Sequence, residues 1–372
     1  MTRVAEGSPA RRYNLFGMSR TELADMLAGW GEKPFRADQI QDWLYVKGVS
    51  TIAAMTNLSK DLRAKLAEHC EILHLHEFTR HLSKDGSIKY VFPVGPGQSI
   101  EAVYMEMEKG VTLCLSSQVG CIQDCSFCLT AKMGFVRNLS VGEILGQVFA
   151  IRQDQGFPPP FNVVMMGMGE PLLNLQNLIK ALEIFTSDQG FGLSPKRITV
   201  STSGHVRNLE KLAEMSRLPR IAISLNATTD AQRNELMPVN LRWNIEELIE
   251  ACRKLPIPPR ERITFEYVLI RGVNDSASDA RRLVRLLANI RCKVNLIPFN
   301  ETEGLDYRQP PVTAIEAFRE ILNRSRILNT VRWSKGRDIG AACGQLATPV
   351  QGPKAKAVSL RSRADARLTP VT

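Results

Sequence analysis

Residues 119–128 read VGCIQDCSFC and place Cys121, Cys125 and Cys128 at C-x3-C-x2-C spacing. Thiols gathered this closely in a reduced chain point to metal ligation or catalysis. A closed structural zinc site takes four ligands, usually as two C-x2-C pairs, and no second pair follows here. A [4Fe–4S] cluster also takes four thiolates as a rule. If the protein supplies three, one iron is left open for an outside ligand. The spacing therefore favours a cluster with one open iron over zinc.

Other groups with chemical capacity lie farther along. In MMGMGEP (165–171), Gly167 and Gly169 would let backbone approach a ligand closely, and Glu170 can accept from an ammonium group. A tight turn accounts for the same residues. Ser201 in STSG, Ser224 and Asn226 in SLNA, and Asn300 in PFN each follow a candidate strand. Taken singly they read as cap or turn residues. Cys114 lies shortly before the trio, and Cys343 sits among small residues in GAACGQLA. Burial as packing residues would explain both, as it does for Cys70, Cys252 and Cys292. Glu101 is a lone acid on the strand face it shares with Val103; a surface charge is the plainer reading.

These residues need a scaffold that brings them together. The 372 residues suffice for a large core and two domains. The chain is 44% apolar and 23% charged, as expected of a folded globular protein. Its longest apolar runs, such as VVMMGM (163–168), are too short for a bilayer span, and the first residues lack the apolar stretch of a secretory signal. A cytoplasmic protein without membrane association is expected, where thiols stay reduced. The net charge of +10 suits an acidic partner such as nucleic acid, though a basic surface without a partner explains it equally.

Residues 1–13 read as disordered. The segment 14–70 is helical: Ser19 and Glu22 form a capping-box pattern, Pro34 opens PFRADQIQDWLYVKG, and NLSKDLRAKLAEHC has helical apolar spacing. Residues 71–110 are β-rich, with a hairpin at Asp85-Gly86. From 111 to 347 strands alternate with helices. Candidate strands are 112–117, 162–167, 197–201, 220–225, 263–270, 293–298 and 330–334. Candidate helices lie near 140–155, 174–187, 206–216, 244–254, 276–289 and 313–327. Alternation of this length means βαβ units and a parallel sheet. About six units fit a (β/α) barrel, partial or complete, better than a doubly wound sheet. In such a barrel the loops after the strands open on one face, so Ser201, Ser224, Asn226 and Asn300 would converge near the cysteines. The segment 348–372 reads as a basic, mobile tail.

CIQDCSFC resembles the signature of radical S-adenosylmethionine (SAM) enzymes. Together with TLCLSSQVGC, GFVRNLS, NVVMMGMGEPLLN, STSG, AISLNA, NLIPFN and AACGQL, it resembles the RlmN/Cfr family of RNA adenine methyltransferases from about Asn14 to Ala347. The resemblance implies an α/β fold, a partial (β/α)6 TIM-like barrel with a small helical N-terminal accessory domain that binds RNA. It implies one [4Fe–4S] cluster on Cys121, Cys125 and Cys128, whose open iron binds SAM. Gly169, Glu170, Ser201, Ser224, Leu225, Asn226 and Asn300 would contact SAM. Cys343 would be methylated by a first SAM and activated by a radical from a second. Glu101 would accept the proton lost from the adenine. Cys114 would release the product through a transient disulfide with Cys343.

The implied product is 2-methyladenine in 23S rRNA and in the tRNA anticodon loop; the Cfr-like alternative is C8 methylation of the ribosomal adenine. Implied partners are the two RNAs and an electron donor such as flavodoxin or ferredoxin, acting on a monomer. Two residues depart from the family's better-known members: Asn226 stands where they have His, and Leu129 replaces a smaller residue. Basic residues of the accessory domain, Arg36, Lys47, Lys60, Arg63 and Lys65, could contact phosphates or simply form a solvated helix face. A non-catalytic iron–sulfur or zinc RNA-binding protein is the reading from another class. Cys114 and Cys343 count against it, because binding alone needs neither.

Overall fold

A computed structural model describes residues 12–108, 110–346 and 358–359. The expected disordered start (1–13) and mobile tail (348–372) fall almost wholly outside these residues.

The N-terminal unit holds helices Arg20–Ala28, Phe35–Gln41 and Lys60–His69. The capping box forms as the pattern predicts: Ser19 Oγ accepts from the Glu22 amide, and the Glu22 carboxylate accepts from the Ser19 amide. The second helix runs on as a wider π turn through Asp42–Val46 and stops by Gly48, whose φ is +68°. Leu23, Leu27, Ile40, Leu44, Leu62 and Leu66 are fully buried and continuous with the main core. The unit docks through glycines. A Cβ on Gly17 (φ +100°) would lie 2.6 Å from the Gly142 amide nitrogen, at the start of helix Val141–Gln155.

Next comes an antiparallel meander of β1 (Glu77–Leu82), β2 (Ile88–Gly95) and β3 (Gln98–Met107). The β1–β2 connection contains Asp85 and Gly86, the dipeptide that predicted it. β4 (Gly110–Cys114) pairs antiparallel with β3 on one side. On its other side it pairs parallel with β5 (Asn162–Met165). From there β6 (Ile198–Thr202), β7 (Arg220–Ser224), β8 (Ile263–Leu269), β9 (Cys292–Pro298) and β10 (Asn329–Val331) are added in sequence order, all parallel. Helices fill each of the six connections. The sheet stays open between β10 and the meander, so the architecture is the partial (β/α)6 barrel rather than a closed one.

Two elements differ from expectation. The first barrel strand ends at Cys114 rather than at residue 117, and Gln118–Gly120 forms a separate ribbon with Phe135–Asn138. The connection from β7 to β8 holds an extra short helix, Asp230–Leu236, before Ile245–Lys254. Both are too short to carry a periodic signal.

Gly17→Ala should strain a left-handed backbone and push apart the docking contact. The expected loss is on the order of 1–3 kcal/mol, read by urea unfolding of the whole chain.

Candidate active site

The cysteine loop leaves the ribbon at Gly120, whose φ is +71° and where a Cβ would stand 1.8 Å from the Gly134 oxygen. Only glycine fits that crossing. The Cys121 amide then donates to the Gly134 oxygen at 2.9 Å, and the Cys128 amide donates to the Cys125 oxygen at 3.2 Å. Ser126 is held from outside, its amide on the Leu236 oxygen and its hydroxyl 2.8 Å from the Tyr307 hydroxyl. Leu129 packs with Cys125 and Phe127 against a small apolar cluster around Met237 and Phe299, so its extra bulk is accommodated.

All three thiols line one cavity at the C-terminal ends of the parallel strands. Gly169, Glu170, Ser201, Ser224, Asn226 and Asn300 line the same cavity, as the convergence argument requires. Leu225 does not line it; its side chain is buried in the core and its amide donates to the Glu266 oxygen. Gly167 lines the cavity as well, and both glycines are also closely packed against protein. A Cβ on Gly167 would lie 2.7 Å from the Leu115 carbonyl, and one on Gly169 (φ +100°) would lie 2.5 Å from the Gln118 Cβ. The chain at Leu115 and Gln118 therefore requires glycine at both positions, while both also border the cavity.

Glu170 is buried, and both of its carboxylate oxygens already accept from protein donors. Oε1 takes the Leu172 amide at 3.0 Å; Oε2 takes the Ser203 amide at 2.7 Å and the Ser203 hydroxyl at 2.8 Å. Burial raises its pKa while these bonds oppose the rise. A carboxylate has about four lone-pair sites, so an ammonium partner is still compatible. Asn226 is more fully committed. It sits at φ +56°, a conformation asparagine tolerates, and its Oδ1 accepts from the Val268 amide at 2.8 Å. Its Nδ2 faces the Met237 sulfur at 3.2 Å, and its carbonyl accepts from Asn274 at 2.7 Å. Asparagine therefore shapes this loop while lining the cavity. Asn300 Nδ2 donates to the Ser334 hydroxyl at 3.0 Å and to the Cys343 carbonyl at 3.2 Å.

Cys343 marks a junction. It lines the cavity of the cysteine trio and also a second one that contains Cys114; Met166 and Arg332 border both. The segment carrying Cys343 is tied to the cysteine loop, because the Leu129 amide donates to the Gly344 oxygen at 2.8 Å and Thr130 Oγ1 to the Leu346 oxygen at 3.0 Å. Burial pushes the Cys114 thiol up to about 12, with Cys343 adding to the rise and Arg332 opposing it. Burial likewise raises Cys343, again against Arg332. Burial takes Cys121 up to about 12 and Cys125 well above its ordinary value.

Glu101 shares the strand face of Val103 and Met105, which line the second cavity. Its carboxylate lies 3.5 Å from Lys89 Nζ, and Lys89 is itself fully buried and donates to the Gly340 oxygen at 3.3 Å. Of the accessory-domain cations, Arg36 is held by Glu32 and Gln39, Lys47 by Asp42, and Arg63 by the Ala53 oxygen. Lys60 and Lys65 are exposed.

Sequence reasoning missed Lys89, Arg233, Glu266 and Arg332. Glu266 had a signal, since a lone acid inside ITFEYVLI is costly to bury without a purpose. It borders the trio's cavity, its Oε1 accepts from Asn295 at 3.0 Å, and its Oε2 has no partner among the described residues. Burial raises its pKa and Arg332 opposes this. Arg233 had no signal. Fully buried, it donates to the carbonyls of Leu225 (3.1 Å), Ser203 (2.5 Å) and Ser224 (3.3 Å) and to Asn240 Oδ1 (3.0 Å), clamping the loops after β6 and β7. Arg233→Met should leave those acceptors unsatisfied at about 1–3 kcal/mol each. The measurement is urea unfolding, with partial recovery expected in Arg233→Lys.

Residues 13–72 match the ribosomal RNA large subunit methyltransferase N-terminal domain, and residues 115–286 match the radical SAM superfamily. The dual-specificity RNA methyltransferase RlmN of Geobacter sulfurreducens is 47% identical over 330 residues, covering 89% of this chain and 91% of that one. RlmN of Paracoccus denitrificans is 46% identical over 369 residues, covering 95% and 94%. The crystal structure of a radical SAM methyltransferase from Sphaerobacter thermophilus superposes with a TM-score of 0.83 at 42% identity, covering 90% of this chain and 99% of that one. With identity of this order running through both the helical unit and the cysteine-bearing barrel, the chain belongs to the RlmN family of radical SAM RNA methyltransferases.

Proposed function

We propose that this chain methylates C2 of an adenine in 23S rRNA and in the anticodon loop of tRNA, and that the methyl group travels on Cys343. The observation that supports this is the position of Cys343 between the cavity of the cysteine trio and the cavity of Cys114. A protein that only bound RNA would need no thiol at such a junction.

Cys121, Cys125 and Cys128 would hold a [4Fe–4S] cluster. The donor set fits: three soft sulfurs on one short loop border a common cavity, and a cationic centre would offset the burial that keeps Cys121 and Cys125 protonated. When bound, the cluster would pass an electron from an external donor to SAM and so supply a 5′-deoxyadenosyl radical. Gly169, Glu170, Ser201, Ser224, Asn226 and Asn300 would surround SAM, and the backbone of Leu225 would complete the loop. C2 of adenine is not nucleophilic, so a direct polar transfer from SAM would fail; two SAM per turnover answer this, one as methyl donor and one as radical source. Arg332 would favour the Cys343 thiolate that accepts the methyl group. Once a hydrogen has been taken from the S-methyl group of Cys343, that carbon would bond to C2. One electron returns through the site that supplied it, and Glu101, steadied by Lys89, would take the proton that leaves the ring, so a thioether joins Cys343 to the base. Cys114 would then attack the Cys343 sulfur: the S–S bond forms, the bond from that sulfur to the CH2 carbon breaks, and the carbon takes up a proton to become the methyl group of the freed base. Residues 14–70 would bind RNA, with Lys60 and Lys65 the exposed phosphate contacts of that unit.

Mass spectrometry of adenosines from reacted 23S rRNA should show 2-methyladenosine; 8-methyladenosine would overturn the C2 assignment. Cys343→Ala should abolish methyl transfer, and full turnover would refute the carrier role. Cys114→Ala should leave protein covalently attached to RNA on denaturing gels, and an adduct-free reaction that still proceeds would remove its resolving role.

A further inference from the structure

Trp333 stands apart from the other tryptophans. Trp243 is 7% exposed and Trp30 and Trp43 are half-buried, whereas Trp333 is 49% exposed. Among the described residues, no aromatic ring or cation packs against its indole. It nevertheless borders the second cavity, together with Cys114 and Cys343. Leaving half of so large a side chain in water forgoes part of the stabilisation that burial provides.

The backbone around it is pinned. Immediately before, the Arg332 amide donates to the Leu296 oxygen at 2.8 Å. Immediately after, Lys335 Nζ donates to the Glu106 oxygen and the Gly336 amide to Asp85 Oδ2, both at 2.8 Å. The indole is thus presented by a fixed segment at the edge of the cavity that holds Cys114 and Cys343. A rigid, half-exposed aromatic face at the mouth of a cavity in an RNA methyltransferase matches an unstacked nucleobase, which has an apolar face of its own to cover.

We propose that Trp333 is a stacking platform for an unpaired base of the RNA, at the entrance to the cavity of Cys114 and Cys343. This rests on the reading that the target adenine enters that cavity. A base leaving its helix to reach the thiols exposes its own face or that of a neighbour, and Trp333 supplies a surface to receive it.

The test uses the cluster-loaded full chain and two labelled RNAs: a stem-loop with an unpaired adenine and the same stem fully paired. In fluorescence anisotropy, Trp333→Ala should weaken binding of the unpaired RNA by about 10- to 100-fold, the range that loss of one base–aromatic stack gives. Binding of the paired RNA should hardly change, and Trp333→Phe should keep most of the affinity. In methylation assays the loss should appear in KM for RNA, with kcat at saturating RNA retained. Wild-type tryptophan fluorescence should be quenched by the unpaired RNA, and Trp333→Phe should lose that quenching. Unchanged affinity in Trp333→Ala, or an equal loss for both RNAs, would overturn the platform while leaving the methyltransferase reading intact. Failure of the wild-type protein to bind either RNA would overturn both.

Discussion

A single backbone hydrogen bond joins the two halves of the site. The Leu129 amide donates to the Gly344 oxygen at 2.8 Å. Cys128 stands immediately before the donor and Cys343 immediately before the acceptor, so the bond sets the relation between two thiols from distant parts of the chain. Gly344 has φ +81°, and a Cβ there would meet the Phe127 oxygen at 3.3 Å, so glycine is what lets the segments approach. The bonds from Thr130 to the Leu346 oxygen and from Asn300 to the Cys343 oxygen hold the same crossing from either side. The barrel strands carry the two segments to one face; this contact aligns them there.

Electrostatics follow from that gathering. Thiols withdrawn from water keep their protons, and the rises at Cys114, Cys121, Cys125 and Cys343 all have burial as the leading cause. Two arginines offset it in different ways. Arg332 borders both cavities and favours the charged forms of Cys114 and Cys343. Arg233 is spent on carbonyl oxygens, and burial lowers its own pKa to about 10. One acts on reactive side chains, whereas the other keeps loops in place.

Much of the fold was legible. Strands and helices long enough to show their period emerged where expected, and the βα alternation implied parallel pairing. The ribbon at Gln118–Gly120 and the helix Asp230–Leu236 were hidden because three to seven residues are too few for a pattern. The site was legible in part. The cysteines and the strand-end polar residues could be named because their types are rare or their positions recur after strands. Gly167 and Gly169 were seen for their permissive backbone, but their close approach to the chain at Leu115 and Gln118 was not legible, because it depends on which distant segment packs beside them. Lys89 and Arg233 left no trace, since a buried cation looks like a surface one until its partners are known.

The amino-acid order by itself determined the chemical inventory: three clustered thiols, two outlying ones, a barrel rhythm and the family words. It did so because ligand spacing and secondary-structure period are local properties of a chain. The tertiary structure alone decided that Cys343 lies between two cavities, that Glu101 faces a buried lysine, that Asn226 is held on all sides, and that Trp333 is left half-exposed at the edge of the cavity of Cys114 and Cys343. Those facts depend on which distant segments meet and which do not, and only packing in three dimensions settles that.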